Sequence, residues 1–148
     1  MRKILLPPVV TLVCILAIVG TGQLESAELW HTGAWDIVGA SLILLGILLP
    51  VWGARTFKRH ETNILPYKDP DNMVTDGPFK FTRNPMYLGM MLVLAGTAIL
   101  VGTKLAPIFP LVFFAVANWW YIPFEEGRMA EAFGTNFSEY KSKVRRWI

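Results

Sequence analysis

Residues 86–124, MYLGMMLVLAGTAILVGTKLAPIFPLVFFAVANWWYIPF, decide the fold, because Lys104 is the one charged side chain in the whole stretch. A helix needs roughly 20 apolar residues to cross the hydrocarbon layer of a bilayer. The stretch therefore reads as two crossings, Met86–Thr103 and Leu105–Phe124. Gly102 before Lys104 and Pro107 after it punctuate helices, so the junction reads as the tight tip of a helical hairpin.

Working outward, two more uncharged runs precede this hairpin: residues 37–54, between Asp36 and Arg55, and residues 4–22, between Lys3 and Gln23. The chain has 148 residues, of which 53% are hydrophobic and 17% charged, too apolar a balance for an ordinary soluble domain. The expectation is one all-α membrane domain over residues 1–148. It has four transmembrane helices (4–22, 37–54, 86–103 and 105–124), a polar loop at 55–85 and a tail at 125–148 containing an amphipathic helix. Arg2 and Lys3 ahead of an apolar run also fit a secretory signal, but no Ala-x-Ala cleavage site follows Gly20, so the first span is expected to stay.

Basic residues fix the expected orientation, since positively charged loops are retained in the cytoplasm. Of the 14 Lys and Arg residues, all but Lys104 fall before the first span, between the second and third, or after the fourth. Both termini and both long polar stretches are thus expected on the cytoplasmic face of an inner or plasma membrane. The formal charge of +3 then reflects loop placement and attraction to membrane lipid, and no nucleic-acid partner is expected. Cys14 is the only cysteine, which excludes an intrachain disulfide.

The apolar runs contain no Asp, Glu, Lys, Arg or His, which argues against an ion- or proton-coupled transporter. Gly39, Gly46, Gly89 and Gly96 read as positions where helices pack closely. Glu25, Glu28 and His31 of the outer loop have no recognisable ligand spacing, and no metal is expected. Chemistry is left to the two polar stretches. The first is broken by Pro66, Pro70 and Pro78 among Asp69, Asp71, Asn72, Asp76 and Gly77, and cannot be a continuous helix. The second opens on Glu125-Glu126 and continues through Met129, Ala132, Phe133 and Phe137 at helical spacing, with Lys141, Lys143, Arg145 and Arg146 expected to face lipid phosphates.

Two acids at the C-terminus of a span oppose the helix dipole and call for a compensating cation, either Arg83 or a cationic ligand. Asn84 and Pro85 fit the N-cap and first turn of the third span. Capping does not account for the whole run GPFKFTRNPMYLG at 77–89, nor for FEE at 124–126 followed by AFGTNFSEYKSKVRRW at 132–147.

Those three motifs, in that order, resemble the isoprenylcysteine carboxyl methyltransferase family and the related phospholipid methyltransferases. The resemblance covers roughly residues 62–147. It implies an integral membrane enzyme that transfers a methyl group from S-adenosyl-L-methionine to a lipophilic or small acceptor, a carboxylate, thiol or amine. It places cofactor contacts at Met73, Val74, Phe79, Asn84, Pro85, Met86, Tyr87 and Glu125. Catalytic or positioning roles fall on Arg83, on Glu126 as a base for an amine acceptor, and on Tyr121, which stands where prenylcysteine enzymes carry an arginine for the substrate carboxylate. Asn84 replaces a frequent His and Phe79 a frequent Tyr, and Tyr121 in place of arginine argues against a prenylcysteine carboxylate as the acceptor. The rival expectations are an NADPH-dependent membrane reductase of the steroid-reductase type and a non-enzymatic membrane protein.

Overall fold

A computed structural model describes residues 6–24, 33–61 and 72–148. The expectations for Glu25, Glu28 and His31, and for Pro66, Asp69, Pro70 and Asp71, lie outside the described residues. The chain is an all-α, membrane-spanning helical bundle. Its elements are α1 (Pro7–Leu24), α2 (Gly33–Arg59), a 3₁₀ turn (Gly77–Lys80), α3 (Pro85–Val101), α4 (Ile108–Val116), a π-turn (Ala117–Tyr121) and α5 (Ile122–Lys143). Helices α1, α2 and the continuous run Ile108–Lys143 are long and apolar enough to cross a membrane, and α3 is a shorter apolar helix of 17 residues.

Antiparallel packing of α2 on α3 organises the bundle. Gly39, Gly46 and Gly53 recur every seven residues on α2, as Gly89 and Gly96 do on α3, so each set lines one helix face. The two faces meet backbone to backbone. A Cβ placed on Gly46 would lie 2.6 Å from the Gly89 carbonyl oxygen, and one on Gly96 would lie 2.5 Å from that of Gly39. At the end of the seam Gly53 leaves room for the side chains of Pro85 and Met86. Close approach through small residues is the means by which helices associate where lipid supplies no hydrophobic drive. It sets the start of α3 against the last turns of α2.

A second seam comes from α1, whose buried residues Pro7, Thr11, Cys14, Ile18 and Thr21 alternate in steps of three and four. Ile18 and Phe113 are fully buried in the core these helices share with α3 and α4. At the far end the Thr21 and Thr103 hydroxyls are 2.6 Å apart, tying α1 to the hairpin tip. That tip is as the sequence suggests: Gly102 caps α3 in the left-handed region at φ 68° and Pro107 precedes α4. Large apolar side chains such as Leu12, Leu16, Ile37, Leu44 and Leu111 point outward, as they do where lipid is the solvent.

Helices α2 and α5 run on beyond the apolar stretches, and the helix end expected at Glu125 is corrected. Helix α2 continues five residues past 54, to Arg59, because Thr56 is buried with its hydroxyl bonded to the Trp52 carbonyl and because Lys58 and Arg59 suit a helix C-terminus. The fourth apolar run does not end in a helix terminus at Glu125. It passes through the π-turn into α5, so the acids sit in the first turns of a continuing helix and no helix C-terminus opposes them. Beyond Phe124 the apolar run is over and α5 projects past it, bending at Gly134 (φ 51°, ψ −119°), a conformation open to glycine.

Candidate functional site

The site forms where the segment before α3 meets the start of α5. Asn84 occupies the N-cap position of α3, but its side chain makes no cap bond, contrary to the capping expectation. Its amide donates instead to the Arg146 carbonyl at 2.9 Å, while its backbone N–H donates to Thr82 Oγ1. The Thr82 hydroxyl also donates to the Arg146 carbonyl, and the Arg83 N–H to the Arg145 carbonyl at 3.0 Å. The chain after α5 thus folds back along residues 82–84.

Glu126 lies at the centre of the resulting cluster. Arg83 Nη2 donates to its Oε1 at 2.8 Å, Arg146 grips both oxygens through Nε (3.2 Å) and Nη2 (2.8 Å), and Lys141 Nζ stands 3.5 Å from Oε2. Burial pushes the Glu126 carboxyl up, but the hydrogen bonds and charges of Arg146 and Arg83 prevail and hold it below the usual carboxylate range. Arg83 also donates through Nη1 to the carbonyls of Lys141 and Val144. Its buried Nε–H has no partner among the described residues. Arg146, expected to face lipid, is therefore corrected to an internal ion pair, since bidentate contact with a mostly buried carboxylate outweighs an exposed phosphate contact.

Glu125 has the opposite environment. Burial raises its carboxyl above the ordinary glutamate value, and neither the Tyr87 hydroxyl bond (2.7 Å to Oε1) nor the charge of Arg128 offsets it. The buried Tyr87 ring stacks on Tyr121 with centroids 6.0 Å apart. Tyr87, Tyr121 and Glu125 thus come together at the end of the α3–α4 core, with Glu126 on the same turn of α5.

Met73, Val74 and Phe79 fall in a second cluster, with Phe57 of α2 and Met129, Phe133, Phe137, Tyr140 and Val144 of α5 and the residues after it. The Phe79 ring is engaged with Phe57 at 4.9 Å, and its carbonyl accepts the Tyr140 hydroxyl at 2.7 Å. Pro85 and Met86 pack toward Gly53. The residues expected around a cofactor thus divide between two packed groups, joined through Arg83, Asn84 and the chain after α5.

Sequence reasoning missed Asn118, Tyr140, Arg146 and Trp147. Asn118 Oδ1 accepts from Arg146 Nη1 (3.2 Å) and from the Trp147 indole (3.1 Å), and Trp147 packs on Phe114 at 5.0 Å. One signal was available: Asn118 is the sole carboxamide in the apolar run 105–124, and such groups are costly there without a partner. Among the described residues no cluster of three or more His, Cys, Asp or Glu side chains is arranged to hold a metal.

Such an arrangement defines a small polytopic helical bundle with an acid, arginine and tyrosine site at one end. The model of the phospholipid methyltransferase family matches residues 35–136, and the chain belongs to that family. It is 26% identical over 126 residues to a chain of Oryza sativa subsp. indica described as "Probable protein-S-isoprenylcysteine O-methyltransferase", a match covering 81% of this chain and 62% of that one. With "Protein-S-isoprenylcysteine O-methyltransferase B" of Arabidopsis thaliana it shares 28% over 112 residues, 72% of this chain and 55% of the relative. An uncharacterized protein of Haemophilus influenzae is 36% identical over 63 residues, which are 43% of this chain and all of that one. The chain thus spans about three-fifths of the length of the plant relatives it matches.

Proposed function

We propose that the protein is an integral membrane methyltransferase that uses S-adenosyl-L-methionine to methylate a lipophilic or small acceptor. The observation that carries this reading is the contrast between two adjacent acids. Glu126 is saturated by cations, whereas Glu125, bonded to Tyr87, sits where burial exceeds the compensation its neighbours supply. A site of that kind favours a cationic ligand. Membership of the phospholipid methyltransferase family supports the same donor.

The residues present fit such a cofactor. Glu125 is an acceptor for an ammonium or ribose group, and the orphaned Arg83 Nε–H is a donor for a carboxylate or ribose oxygen. Met73, Val74, Phe79 and Met86 would form apolar walls, and Asn84 and Pro85 would fix the start of α3. When bound, the cofactor supplies an electrophilic methyl on a sulfonium. Tyr87 and Tyr121 would border the acceptor's approach and exclude water, since alignment and dryness are the enzyme's main tasks in a displacement. For an amine acceptor the proton goes to Glu125 in preference to Glu126, because a carboxylate held low by arginines is the poorer base.

In this reading α3 also crosses the bilayer, giving four spans in a single domain over residues 1–148. The amphipathic part of α5 lies on the cytoplasmic surface, and both termini and the site are cytoplasmic, following the distribution of Lys and Arg. The test is methyl transfer from labelled S-adenosyl-L-methionine by protein in detergent, offered a membrane lipid extract and, separately, small thiols, amines and carboxylic acids. Label in a lipid or small-molecule product supports the proposal. No transfer to any class, together with turnover of NADPH, sinks it.

A further inference from the structure

We propose that Arg146, seated by Asn118 of the π-turn, is a positioning residue of this site: it clamps Glu126 and so sets the turn of α5 that presents Glu125 to Tyr87. The inference rests on the cofactor reading above and adds to it a strap formed by residues 144–147.

The seat follows from the local sequence Asn118-Trp-Trp-Tyr-Ile-Pro123. In the π-turn the Ile122 N–H bonds the Ala117 carbonyl. In the same register the Asn118 carbonyl would await the N–H of residue 123, and Pro123 has none. A backbone acceptor left open within packed structure needs another donor. Arg146 Nη1 supplies it, reaching the Asn118 carbonyl and Oδ1 at 3.2 Å each. The remaining guanidinium nitrogens then point at Glu126 in bidentate fashion.

The strap is fastened on its other side as well. The carbonyls of Val144, Arg145 and Arg146 accept from Arg83 Nη1, Arg83 N–H, Thr82 Oγ1 and Asn84 Nδ2. Residues 144–147 thus bridge the start of α3 and the π-turn, on either side of the acids. Without Arg146, Glu126 would keep Arg83 and the half-exposed Lys141, beside the acidic Glu125. Tyr140, pushed up to about 12 by burial despite the nearby Arg83 charge, stays neutral throughout the working range.

The experiment uses the full chain in detergent with two readouts, trypsin cleavage after Lys143 or Arg145 and calorimetric titration with S-adenosylhomocysteine from about pH 5.5 to 8. Asn118→Leu keeps every cleavage site and should expose the tail, raising its cleavage rate about tenfold or more, as expected for loss of a charge-assisted contact. Arg146→Gln should weaken binding by about tenfold and add a loss of affinity on the acid side that wild type lacks, because a buried Glu126 with one arginine protonates at higher pH. Arg146→Lys, which restores the charge, should return the flat profile. Wild-type affinity and pH profile in Arg146→Gln, or an Asn118→Leu tail as protected as wild type, overturns the inference while leaving the cofactor reading intact. A wild type that binds no S-adenosylhomocysteine overturns the cofactor reading and with it the coupling.

Discussion

Exchanging either acid for its amide should have opposite consequences one residue apart. Glu126→Gln leaves Arg83, whose side chain is 9% exposed, facing a neutral group that is itself 12% exposed in the wild type. Breaking a buried pair from one side costs about 3–5 kcal/mol. The amide oxygen still accepts one hydrogen bond, and the half-exposed Lys141 contributes only about 0–1 kcal/mol, so the lower figure, about 3 kcal/mol, applies. Glu125→Gln keeps an acceptor for Tyr87 and removes the need to bury an anion, so stability at neutral pH holds or rises. The pH dependence has a matching sign. The Glu126 contribution is present above the unfolded carboxyl value and disappears as pH falls through its lowered folded value. Glu125, raised in the folded state, instead costs stability as pH rises through its folded value. Thermal unfolding of the ligand-free protein in detergent, followed by tryptophan emission across acid and neutral pH, reads both. A Glu126→Gln variant as stable as wild type, or a Glu125→Gln variant less stable than Glu126→Gln, would refute the assignment of charge within the site.

The packing makes further predictions for the same assay. Gly89→Ala drives a methyl into the Pro50 ring and to 2.7 Å from the Gly46 carbonyl, so overpacking of about 1–3 kcal/mol should exceed the helix-propensity gain of up to about 1 kcal/mol. Gly127→Ala meets nothing within 4 Å and should stabilise by about 0.5–1 kcal/mol. Gly134→Ala meets equally open space but must hold φ at 51°, and should destabilise by about 1–3 kcal/mol. Tyr140→Phe strips the hydroxyl from the buried Phe79 carbonyl and should cost about 1–3 kcal/mol; an unchanged midpoint would remove Tyr140 as the tie between α5 and the loop.

Apolar run lengths were legible because the bilayer sets them, and so were the hairpin tip, through Gly102 and Pro107, and the glycine seam of α2 and α3. The Arg83, Tyr87, Glu125 and Glu126 set was legible as motifs, and the fold brings all four to one end of the bundle. Which acid each arginine meets was not, because that depends on a return of the chain across 20 residues, from Glu126 to Arg146, that no local periodicity encodes. Arg146 looked like one more basic residue in a cluster typical of a membrane surface. Asn118 was hidden by its apolar neighbours, and the π-turn that leaves its carbonyl opposite Pro123 lies in a run otherwise compatible with plain helix. The contact of the Phe79 ring with Phe57 was not legible, because Phe57 was assigned from sequence to a loop and lies instead in the last turns of α2.

The cofactor site is tested by equilibrium binding of S-adenosylhomocysteine to the purified protein, measured beside NADPH and repeated with Glu125→Ala and Tyr87→Phe. A site built on Glu125 and Tyr87 predicts saturable, one-to-one binding that Glu125→Ala abolishes and Tyr87→Phe weakens, with no response to NADPH. Saturation by NADPH alone, or S-adenosylhomocysteine binding that neither substitution disturbs, would contradict it.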